Sequence, residues 1–240
     1  MEWTDTAILL SARQYGETGT IADLFTREHG RHQGLVRGLK ARTLLQAGNG
    51  LSVTWRARLP EQLGSYAVEL AHARAGLLME SRDSLTGLNA FCAVAALALP
   101  EHQAHAPLYD AAAILLDAMA REDFPHWGPL YVRWEAGLLE ALGFGLDLAK
   151  CAATGAAENL VYVSPRTGRA VSKSAGLPYA DRLLPLPQFL LGSAPEPDMK
   201  ATRDGLALTG HFLLERVLLP HGREMPQARL RLDALAREFA

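Results

Sequence analysis

Seven basic residues, Arg27, Arg31, Arg37, Lys40, Arg42, Arg56 and Arg58, fall in a window whose only acid is Glu28. The window carries a balance of +6 in a chain whose net charge is −2, so the remaining residues together carry −8. Segregated charge of this kind gives a protein a positive face, and a polyanion is the partner that such a face suits. Guanidinium and ammonium groups neutralise backbone phosphates and release counterions, with little reading of bases. The stretch Gly38-Leu39-Lys40-Ala41-Arg42 suits a loop that wraps a strand of nucleic acid. Arg56 and Arg58 share the polar side of an alternating run, while Val53, Trp55, Ala57 and Leu59 share the other, which assigns Trp55 to a core rather than to base stacking. The competing reading of the same cations is a solvated strand face balanced by acids elsewhere, or one that meets an acidic protein segment.

Bond-making chemistry has no comparable constellation. The chain has no G-x-x-x-x-G-K-[ST] loop and no G-x-S-x-G elbow, and Gly143-Phe144-Gly145 lacks both the third glycine and the preceding strand of a dinucleotide fingerprint. His102 and His105 have metal-pair spacing, but Glu101 is their one nearby acid and no thiol accompanies them, so solvated histidines at a helix junction are expected. No nucleophile, base and orienting group cluster together, so no catalytic residue, cofactor or metal ligand is assigned. Two cysteines, Cys92 and Cys151, cannot build a disulfide framework, which points to a reducing compartment, the cytosol. The beginning MEWTDTAILL lacks a basic leader, and the longest apolar run, Phe91 to Leu99, falls short of a membrane span.

The elements that must position these residues fall into two textures. Up to about residue 71 the chain reads as five short strands, Ala7–Arg13, Thr20–Thr26, Arg31–Gly38, Leu51–Leu59 and Ser65–Ala71, separated by turn residues such as His29-Gly30 and Gly48-Asn49-Gly50. Five antiparallel strands of this length predict a small barrel, OB-fold or SH3-like, and periodicity does not choose between them. Beyond Ala73 alanine and leucine take over with helical spacing. The pattern predicts helices over Ser84–Leu99, Pro107–Met119, His126–Leu142, Asp204–Leu219 and Pro226–Phe239. Between Gly143 and Lys200 that pattern lapses over a Pro-rich stretch too long for a plain loop, which predicts a small hairpin subdomain.

The order Y-G-E-T-G-T-I-A-D-L-F-T-R-E-H-G-R-H-Q-G-L-V-R-G-L-K, from Tyr15 to Lys40, resembles the N-terminal region of the RecO family of bacterial recombination mediators. Glu140-Ala141-Leu142-Gly143-Phe144, Tyr162-Val163-Ser164-Pro165-Arg166-Thr167-Gly168 and the stretch from Leu183 to Leu190 extend the resemblance, in the same order, over nearly the whole chain. The resemblance implies an α+β protein with an N-terminal OB-fold barrel over 1–75 and a mostly helical domain over 76–240 that includes a hairpin subdomain at about 143–200. It implies a non-enzymatic role in DNA repair and DNA recombination in the cytoplasm. Members bind single- and double-stranded DNA, anneal complementary strands and help load RecA onto strands coated with single-strand-binding protein. They act with RecR and dock the C-terminal tail of single-strand-binding protein. Arg31, Arg37, Lys40 and Arg42 fall in the family's basic barrel region, and with Arg56 and Arg58 they make up the expected DNA-contacting set.

Two segments depart from the family pattern. Many members hold zinc in the hairpin with two C-x-x-C pairs, whereas the matching positions here are Cys151, Thr154, Ser172 and Ala175, a degenerate zinc-finger region expected to fold without metal around Tyr162, Leu177 and Tyr179. The family's basic C-terminal segment is reduced to Gly222-Arg223-Glu224-Met225-Pro226-Gln227-Ala228-Arg229, where Arg223 and Arg229 remain.

Overall fold

A computed structural model of the chain describes residues 1–38, 43–59, 62–192 and 197–239. Five strands form the N-terminal barrel: β1 (Glu2–Tyr15), β2 (Gly19–Thr26), β3 (Gly30–Arg37), β4 (Gly50–Arg56) and β5 (Ser65–His72). They close in the order β1-β2-β3-β5-β4, antiparallel except for β3 beside β5. This five-stranded closure is the OB-fold, which settles the choice that periodicity left open. β1 is twice the expected length because one strand serves two neighbours. Its first half pairs with β4, from Glu2↔Arg56 to Ile8↔Gly50, and its second half pairs with β2 past an irregularity between Leu9 and Ser11.

Alternation along these strands sends Ala7, Leu9, Ala22, Leu24, Val36, Leu51, Val53, Trp55 and Tyr66 into one apolar core. Trp55 takes the core place assigned to it: it is 2% exposed and its indole N–H donates to the Leu63 carbonyl at 3.1 Å. The expected run to Leu59 does not hold, because β4 ends at Arg56 and Leu59 is exposed. Gly34 makes room for one edge of the Tyr66 ring, since a Cβ there would sit 2.3 Å from its Cδ2 and Cε2.

The chain folds as two compact units, Met1–Glu122 and Asp123–Ala240. The first adds α1 (Ala75–Glu80), α2 (Arg82–Ala98) and α3 (Ala106–Met119) to the barrel. Asn49 starts α1 by accepting from the backbone N–H groups of Arg74 and Ala75, both at 3.0 Å, and the Ser81 hydroxyl caps α2. The outward residues Ile8, Leu10, Ile21 and Phe25 are buried as well, and Phe25 meets the Tyr109 ring of α3 edge-on at 5.6 Å.

The second unit contains α4 (Phe124–Ala141), a three-stranded sheet of β6 (Leu160–Val163), β7 (Ala170–Ser172) and β8 (Leu184–Pro185), a single turn α5 (Lys173–Gly176), α6 (Met199–Phe212) and α7 (Gln227–Glu238). α6 begins earlier than its apolar pattern because Asp198 caps it, accepting from the Ala201 N–H at 2.6 Å. α4 and α6 approach closely where small residues face bulky ones: a Cβ on Gly205 would lie 2.7 Å from Val132. The hairpin subdomain exists, in sheet order β7-β6-β8, but its packing differs from expectation. Leu177 and Tyr179 are exposed, and Leu160, Val163, Ala170, Leu186 and Phe189 fill its interior instead. The Cys151 sulfur accepts the Ser172 N–H at 3.2 Å, and the turn is closed by Cys151 N–H to Ala156 O at 2.8 Å. One thiol with Thr154, Ser172 and Ala175 does not fit the four-ligand requirement of structural zinc.

Candidate nucleic-acid interface

The described cations do not form one uniform positive face. Arg27, Arg31 and Arg56 are each met by a carboxylate supplied from outside the basic window. Arg31, on the outer side of β3, donates from Nη2 to Asp23 at 2.7 Å and from Nε at 3.0 Å, and its side chain is 15% exposed. The cause is register: Phe25↔Arg31 and Asp23↔Gln33 place Asp23 diagonally beside Arg31 on the same side of the sheet. Arg27 holds Asp110 of α3 at 2.9 Å, which drives the Asp110 carboxyl below its ordinary range and the guanidinium higher still. Arg56 lies opposite Glu2 in the β1–β4 ladder and donates to it at 2.8 Å. That hydrogen bond lowers the Glu2 carboxyl, although both side chains remain largely in solvent.

Arg37 and Arg58 differ. Both are exposed and have no ion-pair partner among the described residues. Arg37 closes β3 opposite Gly19, and Arg13, in the second half of β1, stands opposite Ile21 on the other side of β2. Ala22 and Val36 point inward, so Arg13 and Arg37 point outward together at the same end of the β1-β2-β3 surface. Arg13 lies outside the basic window, and the sequence signal that could have found it is its alternation out of phase with Ala12, which pairs with core Ala22. Lys40 and Arg42 lie outside the described residues. Arg58 follows the end of β4 rather than sharing its face with Arg56.

The end of the barrel where β1 begins and β4 ends presents a different surface. Trp3, His29 and Trp55 lie nearly parallel, with Trp3 3.9 Å from His29 at 7° and 5.6 Å from Trp55 at 20°. His32 stands almost perpendicular to Trp3 and meets His102 edge-on at 4.5 Å. Buried His32 is pushed down to about 4 by desolvation first and by neighbouring His102 second. Asp5 holds the His29 ring at 2.9 Å. Among the described residues no set of three or more histidines, cysteines or acids is arranged to hold a metal.

The barrel closure defines the first unit as an OB-fold domain, a class whose strands and loops bind oligonucleotides and oligosaccharides. Residues 1–74 match the family model "Recombination protein O N terminal", and residues 79–224 match "Recombination protein O C terminal". The chain is 50% identical over 242 residues to "DNA repair protein RecO" of Cereibacter sphaeroides strain KD131, covering 99% of each protein. It is 52% identical over 236 residues to the protein of that name from Rhodospirillum centenum, covering 96% of this chain and 93% of the relative. The chain belongs to the RecO family, and with it to the proteins of DNA repair and recombination. Among the described residues no helix is long and apolar enough to cross a membrane.

Proposed function

We propose that this protein is a cytoplasmic, non-enzymatic recombination mediator that binds and anneals single-stranded DNA and, with RecR, helps load RecA onto strands coated with single-strand-binding protein. The observation that carries the DNA-binding part is the outward pair Arg13 and Arg37, both exposed, without carboxylate partners among the described residues, and followed directly by the segment that holds Lys40 and Arg42. Annealing requires two repelling backbones to be neutralised by contacts weak enough for bases to search for register, which exposed arginines supply and buried, paired ones do not. Arg37, Lys40, Arg42 and Arg58 are the primary contacts in this reading, with Arg13 added. Arg56 joins them when a phosphate displaces Glu2, and Arg31 positions the sheet through Asp23.

The helical unit supports the tail-docking part. α6 and α7 enclose a groove of about 540 Å³ lined by Leu206, Ala207, Leu214 and Leu230, with Arg203 and Arg237 beside it. Its acids are already engaged, Asp204 by Lys200 and Asp233 by Arg229, so the groove is suited to an acidic, apolar peptide. Annealing of complementary oligonucleotides coated with single-strand-binding protein, followed across a salt series, tests the DNA-binding and annealing parts of this reading. Acceleration that fades with salt is the expected result. No acceleration and no binding to bare strands at low salt would favour the second reading, a protein adaptor whose basic barrel face takes an acidic protein segment. That reading draws on the readiness with which Asp23, Asp110 and Glu2 already satisfy barrel arginines.

A further inference from the structure

We propose that the cleft at the β1/β4 end of the barrel is a binding site for a single unstacked nucleobase, so that the barrel holds one base of a bound strand as well as its phosphates. The inference rests on the DNA-binding reading above and deepens it. The cleft has a volume of about 670 Å³ and is lined by Met1, Trp3, Glu28, His29, His32, Trp55 and His102. Five of those seven side chains are aromatic rings: Trp55 and His32 are buried in the floor, while the more exposed Trp3, His29 and His102 present the ring surface on which a base released from its neighbours stacks, whatever its identity. Ligand clefts of this kind combine apolar walls with a few placed polar atoms, and lie in roughly the 300–1,000 Å³ range.

The placed polar atom is the outer nitrogen of His32. Its Nδ1 lies 2.9 Å from the Gln33 carbonyl, which can only accept, a contact that favours the tautomer with the proton on Nδ1. Nε2 then keeps its lone pair and has no hydrogen-bond partner among the described residues. With His32 held neutral well below physiological pH, Nε2 accepts, and an exocyclic amino group or a ring N–H of a base is the donor it suits. Tyr66 stands on the Nδ1 side of the ring, its hydroxyl oxygen 2.9 Å away and accepting a share of the same N–H in that tautomer.

The backbone is arranged to bring the far wall in. His102 has φ +62°, a left-handed conformation rarely adopted by a residue with a side chain. It is tied there by its N–H to the Arg31 carbonyl at 2.9 Å. Gly30, at φ +71°, lets the β2–β3 turn press against the same segment, since a Cβ there would lie 2.0 Å from the Gln103 carbonyl oxygen. Strain of this kind concentrates at ligand sites. The imidazole of His102 is thereby held against His32 while remaining exposed. Arg58 lies exposed two residues beyond the end of β4 at Arg56.

The test compares the full-length protein's affinity for a fluorescent oligonucleotide with that for an abasic strand of the same length, which keeps every phosphate. Wild-type protein is expected to prefer the base-bearing strand, with quenching of tryptophan fluorescence on binding. The variants Trp3→Leu and His102→Gly are each expected to reduce that preference by on the order of tenfold, the effect of removing one stacking surface. His102→Gly suits the existing φ, so it removes the ring without loading the backbone. Equal affinity of wild-type protein for the two strands overturns the base site while leaving phosphate binding intact. A preference unchanged in both folded variants overturns it too, and would point to an aromatic peptide as the occupant of the cleft. Failure to bind either strand overturns the DNA-binding reading itself.

Discussion

Arginine does opposite things at two places in the molecule. In the helical unit Arg229 is fully buried and donates to Glu135 at 2.6 and 3.0 Å, to the Leu206 carbonyl at 2.9 Å and to Asp233. Thr209 adds a hydrogen bond to Glu135 at 2.5 Å. In the barrel Arg13, Arg37 and Arg58 stand in water with no acid beside them among the described residues, and Arg27 and Arg56 pair only at the surface. The difference is one of dielectric. A buried guanidinium must have every donor satisfied or the fold loses several kcal/mol, whereas an exposed one loses little by waiting for a partner. The same residue type is structural at Arg229, as it is at Arg31 and Arg74, and available for a ligand at Arg13, Arg37 and Arg58.

That contrast can be broken at its strongest point first. Arg229→Met leaves the Glu135 carboxylate buried without its partner and is expected to reduce stability by about 3–5 kcal/mol, read by chemical denaturation. The double change Arg229→Met with Glu135→Leu should recover much of that loss. A single variant as stable as wild type would show that the network is not a fixed part of the fold.

His32 provides the next largest effect. Its folded value, about 4, lies below the ordinary histidine value of 6.5, so between those values the unfolded chain binds a proton that the folded chain refuses. Its contribution is therefore intact above pH 6.5 and is lost as the pH falls towards 4, by about 3 kcal/mol in full. Stability measured between pH 7 and 4 should fall by less in His32→Gln than in wild type.

Smaller effects belong to the barrel surface. Arg13→Glu with Arg37→Glu should leave the midpoint of unfolding nearly unchanged and flatten the dependence of log affinity on log salt by roughly 1.4 for single strands, the share of two phosphates. An unchanged slope would remove both residues from the interface. Glu2→Gln releases Arg56 from its surface pair and should tighten strand binding by up to about fivefold, because exposed pairs are worth no more than about 1 kcal/mol. Weaker binding in Glu2→Gln would show that Arg56 needs its carboxylate to be placed correctly.

The barrel was legible because its signals are local. Alternation from Val53 to Trp55, the glycine turns at Gly30 and Gly48, and the clustering of β-formers specify strands whatever their partners. The additional half of β1 was not legible, since Glu2 to Thr6 become strand only by pairing with β4. The C-terminal segment shows the same limit: Arg229 points into the core because Glu135 is there to receive it, ninety-four positions away. The window from Arg27 to Arg58 is basic by count, yet three of its arginines meet acids at positions 2, 23 and 110.

Residue type and short-range spacing set the order of the five barrel strands and the main helices, the family likeness, the core place of Trp55 and the excess of cations in the barrel. Tertiary structure decided which cations remain free, that Arg13 stands with Arg37, and that Trp3, His29, His32 and His102 share one cleft. Ion pairs and ring contacts form between residues brought together by register and closure, and their energy falls off over a few ångströms, so no reading along the chain can supply them.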